Sequence, residues 1–197
     1  MRLLLVACLS SALAGSPVSR AEAWLRAKHA ESSPFGLAPG ISVTLVGEGE
    51  VRTFGVGVSK LDRAATVDSD TLFEVGSLSK TATALGLATL VSAGKIKWDD
   101  PVRGFLGPDF VLGSHEYVSA TLTLRDLLTH RSGLAEGQGD FMCGLLAPSA
   151  QVKRLAHFVP VHTYRERFDY SNTGWMLAGE VLRAATNASS WLGVITA

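Results

Sequence analysis

The chain has little cysteine, no excess charge of either sign and no long apolar run. It has two cysteines in 197 residues, and one of them, Cys8, lies in the leader described below, so we expect no internal disulfide. Eighteen Lys and Arg balance 18 Asp and Glu, which gives a formal net charge of zero. A neutral chain supplies no field for a phosphate backbone, so nucleic acid is not an expected partner. No segment approaches the roughly 20 apolar residues of a spanning helix, so we expect no stable membrane insertion.

The motifs of several enzyme classes are also missing. The five histidines show no i, i+4 pairing, and we expect neither a zinc site nor another cofactor. There is no G-x-S-x-G sequence of the α/β-hydrolases. Ser79-Lys80-Thr81 resembles the end of a phosphate-binding loop, but Ser79 stands where that loop needs glycine. The chain does have 47% hydrophobic and 18% charged residues, a composition typical of a globular protein with a sizeable core.

The N-terminus has the features of a secretory leader. Arg2 supplies a positive charge, and residues 3–14 form a short apolar stretch that ends in small residues suited to cleavage. We therefore predict a signal peptide over residues 1–14 and a secreted or extracytoplasmic protein. The alternative is a lipoprotein acceptor box ending at Cys8, but it leaves too few residues before the cysteine for an apolar region.

The rest of the sequence predicts a β-hairpin followed by helices. Polar and apolar residues alternate over 41–45 and 51–58 on either side of a glycine-rich turn. Gly55 and Gly57 in the second strand indicate the close approach of another backbone. Helical spacing marks residues 21–30, 77–93, 124–128 and 172–185. The helix over 77–93 is apolar with small residues, so nearly every face of it can be buried. Extended segments followed by several helices favour an α+β fold.

A serine and a lysine lie one turn apart at the start of that apolar helix. Lys80 follows Ser77 by three residues, so its amine can reach the hydroxyl and take the proton. The helix N-terminus adds N–H groups and a positive dipole end where an oxyanion would form. The same spacing recurs from Ser92 to Lys95 at the opposite end of the helix, where those donors are absent. We interpret the second copy as structural.

Tyr170-Ser171-Asn172 is a second candidate element, at a boundary between a loop and a helix. With three tyrosines in the chain, a chance Y-x-N match is rare. The structural alternative is a buried tyrosine followed by Asn172 as the helix N-cap, since asparagine is among the best capping residues. Capping and catalysis do not exclude each other.

Three longer segments contain these motifs or lie between them: FEVGSLSKTATALGLATLVSAGKIKWDDPV, TLRDLLTHRSGL and YSNTGWMLAGEVL. They resemble the serine β-lactamase-related family, which holds class C β-lactamases, penicillin-binding DD-peptidases, related esterases and LACTB-type peptidases. The hairpin beginning PGISVTLVGEGE also fits, and the resemblance runs in the family's order from about Pro39 to about Trp191. It implies a β-lactamase/transpeptidase-like fold, with an antiparallel sheet packed with helices.

The resemblance implies a role for each motif residue. Ser77 would be the acylated nucleophile, Lys80 its proton acceptor or electrostatic activator, and Tyr170 a further base or relay. Asn172 would bind Lys80 and a substrate amide. Whether Lys80 or Tyr170 is the working base stays open. The partner would be a small-molecule or peptide-like acyl substrate, namely an amide, an ester or a lactam.

The resemblance also implies a motif that this chain does not contain. The family's K-T-G or H-x-G triplet lies on a strand well downstream of Asn172, and no K-T-G occurs before Ala197. We therefore expect residues 39–197 to be the N-terminal part of a family domain that lacks its C-terminal sheet strands. Residues 15–38 would form a preceding helix and linker. The alternative function is a truncated, catalytically inactive fragment that at most binds a ligand or partner.

Overall fold

The computed structural model describes residues 4–7, 17–30, 38–47, 49–113, 115–142 and 144–196. The chain divides into two compact units, Met1–Gly76 and Ser77–Ala197. The first unit contains α1 (Pro17–Ala30) and the strands β1 (Leu4–Ala7), β2 (Gly40–Gly47), β3 (Glu50–Lys60) and β4 (Arg63–Thr66). The α-helices of the second unit are α2 (Ser79–Ser92), α3 (Arg103–Leu106), α4 (Glu116–Thr121), α5 (Leu124–Leu128), α6 (Pro148–Arg154), α7 (Asn172–Thr186) and α8 (Trp191–Ile195). Short 3₁₀ turns occur at Gly76–Leu78, Asp140–Met142 and Leu155–His157.

The sheet of the first unit is built on the predicted hairpin. Its strands follow the order β1-β2-β3-β4, and β2 and β3 pair antiparallel from Gly40 opposite Gly57 to Gly47 opposite Glu50. Helix α1 begins earlier than predicted and packs on this sheet, because apolar residues of both bury one another. The buried residues of this cluster are Val18, Leu25, Ile41, Val43, Leu45, Phe54 and Val56. Strands with a helix here and helices in the second unit confirm the α+β class.

The two glycines of β3 lie where other backbone segments come close, as their placement in a strand predicts. A Cβ atom on Gly55 would collide with the carbonyl of Val67, and one on Gly57 with the carbonyl of Pro39. The amide of Val67 donates to the Gly57 carbonyl at 3.0 Å, and the amide of Val58 donates to that of Pro39 at 2.8 Å. Glycine at both positions therefore lets these segments pair.

Part of the predicted leader lies in the sheet. Strand β1 pairs in parallel with β2, from Leu4 beside Ser42 to Ala7 beside Leu45. The edge strand of a sheet has N–H and C=O groups without partners, and those of β2 pair with the backbone of β1. The rest of the predicted leader, Cys8 included, lies outside the described residues, as does Cys143. The signal peptide stays a prediction. None of the helices described is long and apolar enough to cross a membrane.

The second unit is a group of helices around one buried cluster. Helix α2 packs closely on α7, since a Cβ atom on Gly86 would lie only 2.8 Å from a methyl group of Leu182. The fully buried leucines of the cluster are Leu87, Leu112, Leu122, Leu124, Leu127, Leu134, Leu155, Leu177 and Leu182. This packing sets the start of α2 beside the start of α7, and each of these two helix starts carries one of the sequence motifs.

Among the residues that the structure describes, one face of α2 is buried. Its buried residues are Thr83, Leu87 and Leu90, whose spacing puts them on one face. Leu85, by contrast, is 67% exposed. The composition of α2 permits burial all round, but only the face towards its packing partners is covered.

Asp126 fastens the loop that leads to Tyr170. Thr123 caps α5 in a capping box with Asp126, and its hydroxyl donates to Asp126 Oδ2 at 2.7 Å. The Tyr164 hydroxyl donates to the same oxygen at 2.7 Å, and Arg165 donates to both carboxylate oxygens at 2.9 and 2.8 Å. Burial alone would raise the pKa of this carboxyl, but the bonds from Arg165, Thr123 and Tyr164 lower it to about 2. The loop is thereby held on α5 by a buried charge.

Candidate active site

Ser77 and Lys80 lie one turn apart, as their spacing predicts. Ser77 is an exposed residue of the 3₁₀ turn Gly76–Leu78, and α2 continues directly from that turn. Lys80 Nζ donates to Ser77 Oγ at 3.0 Å. The first N–H groups of a helix have no partner within it, so the start of α2 offers donors next to this hydroxyl. Ser92, in the second S-x-x-K copy, is the last residue of α2 and has no such surroundings.

Tyr170 lies against the same two side chains, although it follows Ser77 by 93 residues. Its hydroxyl and Ser77 Oγ are hydrogen-bonded to each other. Lys80 Nζ lies 4.8 Å from the centre of the Tyr170 ring. Hydrogen bonding to Lys80, and then to Ser77, lowers the pKa of the Tyr170 phenol, while burial and the charge of Asp140 act in the opposite direction. A lowered pKa favours the phenolate, the form that can accept a proton from serine.

Asn172 bridges Lys80 to an acidic side chain. Its Oδ1 accepts from Lys80 Nζ at 2.6 Å, and its Nδ2 donates to Asp140 Oδ2 at 2.7 Å. The interpretation of Asn172 as the N-cap of α7 is wrong. Ser171 is the cap, because its hydroxyl accepts from the amide of Gly174 at 3.1 Å. Because Ser171 caps the helix, the side-chain amide of Asn172 can bind Lys80 and Asp140 instead.

His130 supports the backbone next to Tyr170. Its Nδ1 accepts from the amide of Ser171 at 2.8 Å, and its ring stacks on that of Tyr170 with centroids 4.6 Å apart. The indole nitrogen of Trp175 lies 3.0 Å from His130 Nε2. A neutral histidine accepts at one ring nitrogen and a protonated histidine at neither, so the bond from the Ser171 amide requires Nδ1 to carry no proton. Burial and the charge of Lys80 lower the pKa of His130, which favours that neutral form, and the ring positions Tyr170.

Sequence reasoning missed Asp140. It lies in the stretch of chain between the T-H-R-S-G and Y-x-N segments, which also contains Glu136, Glu166 and Asp169. Nothing in the local pattern distinguishes one of these carboxylates from the others. Only its contact with Asn172 identifies it. Among the described residues, no group of three or more His, Cys, Asp or Glu side chains could hold a metal ion.

An apolar cavity opens next to Lys80. Its volume is about 310 Å³, and its walls include Trp175, Met176 and Trp191. The indole nitrogen of Trp191 donates to Thr83 Oγ1 at 2.9 Å, which fixes that wall to α2. The cavity can take an apolar group of a molecule bound at the site.

The chain is similar to several known proteins. The model of the family described as Beta-lactamase matches residues 33–196. The Unguisins hydrolase ungD' of Aspergillus campestris is 31% identical over 163 residues, which cover 79% of this chain and 30% of that protein. Penicillin-binding protein 4 of Amycolatopsis lactamdurans is 30% identical over 161 residues, which cover 77% of this chain and 39% of that protein. The chain thus spans less than half the length of these curated relatives.

A solved structure shows the same fold. The octameric penicillin-binding protein homologue from Pyrococcus abyssi superposes with a TM-score of 0.71 at 28% sequence identity. The match covers 91% of this chain and 41% of that one. The predicted β-lactamase/transpeptidase-like fold is confirmed. Because the family model also matches residues 33–196, most of the sequence, the chain belongs to the beta-lactamase family.

Proposed function

We propose that the chain carries the nucleophile of a serine hydrolase that forms an acyl-enzyme on an amide, an ester or a lactam. The observation that carries this proposal is the convergence on Ser77. Its Oγ accepts a hydrogen bond from Lys80 Nζ at 3.0 Å and is hydrogen-bonded to the hydroxyl of Tyr170. A serine hydroxyl becomes a strong nucleophile when a neighbouring base takes its proton, and both candidate bases lie in contact with it.

Tyr170 is the proton acceptor in this mechanism. Lys80 Nζ donates to Asn172 Oδ1, which can only accept, and it donates again to Ser77 Oγ. A lysine engaged in this way acts as a positive charge next to the phenol. The same charge lowers the pKa of Tyr170 and so favours the phenolate that deprotonates Ser77.

The acyl transfer then balances without a further group. As Ser77 Oγ bonds to the acyl carbon, its proton moves to Tyr170, and negative charge collects on the acyl oxygen. N–H groups at the start of α2 support that charge. The proton passes from Tyr170 to the leaving amine, alcohol or lactam nitrogen as its bond to carbon breaks. Water then attacks the acyl carbon while its proton moves to Tyr170. The bond between the acyl carbon and Ser77 Oγ breaks, Oγ takes that proton back, and the acyl group leaves as an acid.

The relatives and the cavity support the substrate class. One relative is named a hydrolase of unguisins and another a penicillin-binding protein. The cavity of about 310 Å³ has an apolar wall at Trp175, Met176 and Trp191. We therefore take the substrate to be a small or peptide-like acyl compound with an apolar side group.

The test is covalent labelling. The protein is treated with a fluorescent penicillin and with a fluorophosphonate, and mass spectrometry locates the adduct. We expect it on Ser77 and expect Ser77→Ala to abolish it. An adduct on Ser79 or Ser92 would contradict the assignment.

The alternative, an inactive fragment, is tested in the same experiment. It is favoured by the coverage, since the chain spans 30% and 39% of two curated relatives. The chain as printed and any longer product of the same gene are labelled side by side. Labelling of the longer product alone would support the fragment. Labelling of both, dependent on Ser77, would exclude it.

Export is also a proposal, and it rests on the predicted leader over residues 1–14. N-terminal sequencing of the protein from a secreting host tests it. We expect the mature chain to begin at Gly15. A mature protein that keeps Leu4–Ala7 would contradict cleavage and would leave β1 in the sheet.

A further inference from the structure

Asp140 lies behind Asn172, on the side away from Lys80. Its Oδ2 accepts from Asn172 Nδ2 at 2.7 Å. Its Oδ1 is buried and has no hydrogen-bond partner among the residues that the structure describes. A buried carboxylate oxygen without a partner is costly, so its retention calls for an explanation. The bond to Asn172 is the contact that this carboxylate makes towards the site.

The loop carrying Asp140 is attached to the first turn of α7. Thr173 Oγ1 donates to the carbonyl of Gln138 at 2.7 Å. Gly139 has φ +92°, a conformation that favours glycine, and a Cβ atom there would collide with Thr173 Oγ1 and with the ring of Phe158. The backbone is therefore adapted to bring the next residue, Asp140, against α7.

The two ends of the Asn172 amide have different requirements. A carboxylate can only accept hydrogen bonds, and an ammonium group can only donate them. With Asp140 on one side and Lys80 on the other, one amide orientation satisfies both: the NH₂ group towards Asp140 and the oxygen towards Lys80. The reverse orientation would place two donors together and two acceptors together.

The same row of groups joins two opposite charges. In the part of the chain that the structure describes, no carboxylate forms an ion pair with Lys80. Asp140 reaches it through Asn172, over two bonds of 2.7 and 2.6 Å. Each charge polarises the amide in the same direction, which strengthens both bonds.

From this geometry we propose that Asp140 is a positioning residue: it fixes the Asn172 amide so that the amide oxygen holds Lys80 on Ser77 and Tyr170. The inference rests on the proposed function, because it concerns how the Ser77 nucleophile is prepared. Asp140 itself touches neither Ser77 nor the acyl group, and its effect passes through Asn172.

The first test is an exchange of the two side chains. Asp140→Ala should slow the labelling of Ser77 by about ten- to a hundredfold, as expected for the loss of a charged hydrogen bond. Asn172→Asp should also slow it, because two carboxylates would then face each other. Adding Asp140→Asn to Asn172→Asp restores a donor opposite an acceptor, so the double variant should label faster than Asn172→Asp alone. If Asp140 and Asn172 only held the fold together, the double variant would label no faster than Asn172→Asp when the two have the same thermal stability.

The second test needs no reaction at Ser77. Lysines are acetylated with acetic anhydride, and mass spectrometry compares Lys80 with the exposed Lys95. Asp140→Ala should raise the acetylation of Lys80 several-fold, because the released amide holds it less well. The matched control is Asp109→Ala, which removes an exposed carboxylate and should change neither measurement.

The two tests separate the two proposals. If Ser77 is not labelled but Lys80 becomes reactive in Asp140→Ala, the proposed function fails and the positioning role stands. If Ser77 is labelled and Asp140→Ala changes neither labelling nor acetylation, the positioning role is overturned. Should Asp140→Ala unfold, Asp140→Leu, which is similar in size and has no acceptor, replaces it in both tests, and the side-chain exchange still decides.

Discussion

The buried carboxylate of Asp126 should make the stability of the protein fall in acid. The pKa of Asp126 in the folded chain gives the size of its contribution to the free energy of unfolding. Folding lowers the pKa of Asp126 from 3.8 to about 2. One pKa unit corresponds to about 1.4 kcal/mol, so the ionised Asp126 contributes about 2 to 3 kcal/mol to the free energy of unfolding at neutral pH. The energy comes from the bonds that Thr123, Tyr164 and Arg165 donate to it.

The sign follows from proton binding. The unfolded chain holds this proton more tightly than the folded one, so the contribution is complete above about pH 5 and disappears as the pH falls towards about 2. About half of it should be lost by about pH 3. Asp126→Asn has no carboxyl to titrate. It should be less stable than wild type at pH 7 by about 2 kcal/mol or more, because the donors lose a charged acceptor.

Urea unfolding at neutral pH and near pH 3 measures this difference. The wild type should lose about 1 kcal/mol more than Asp126→Asn between the two conditions. Asp109→Asn, which removes an exposed carboxylate, serves as the matched control and should follow the wild type. Equal losses in the wild type and in Asp126→Asn would refute the reasoning, because they would show that Asp126 has the same pKa in the folded and unfolded states.

The remaining predictions concern the site. Lys80→Met should slow acylation of Ser77 by about 10² to 10⁴, because without the Lys80 charge Tyr170 loses the lowered pKa on which its acid–base assistance depends, whereas Lys95→Met should do little. Equal damage from both would mean that the choice between the two S-x-x-K copies has no basis. Because the pKa of Tyr170 is lowered, ultraviolet titration should show its phenolate forming below the ordinary pKa of about 10. Tyr170→Phe should remove that step, and acylation in the wild type should rise with pH through it. A Tyr170→Phe protein that titrates like the wild type would contradict the shift.

The local elements of this protein follow from its sequence because their signals are local. Alternation over a few residues predicts the hairpin of β2 and β3, and helical spacing predicts α7. The contact between Ser77 and Lys80 is of the same kind, since a separation of three residues puts both on one turn. The resemblance to a family added the roles of Tyr170 and Asn172, which no local pattern contains.

Tertiary structure decided what depends on neighbours distant in the chain. By residue type, Asn172 is as good a helix cap as Ser171. In the structure Ser171 is the cap, and the side-chain amide of Asn172 lies between Lys80 and Asp140. The sequence makes α2 apolar with small residues, yet only the face towards its partners is buried. Asp140 is one acid among several until the packing of its loop on α7 selects it. Each of these outcomes depends on side chains brought together across tens of residues, and such contacts form only when the whole unit packs.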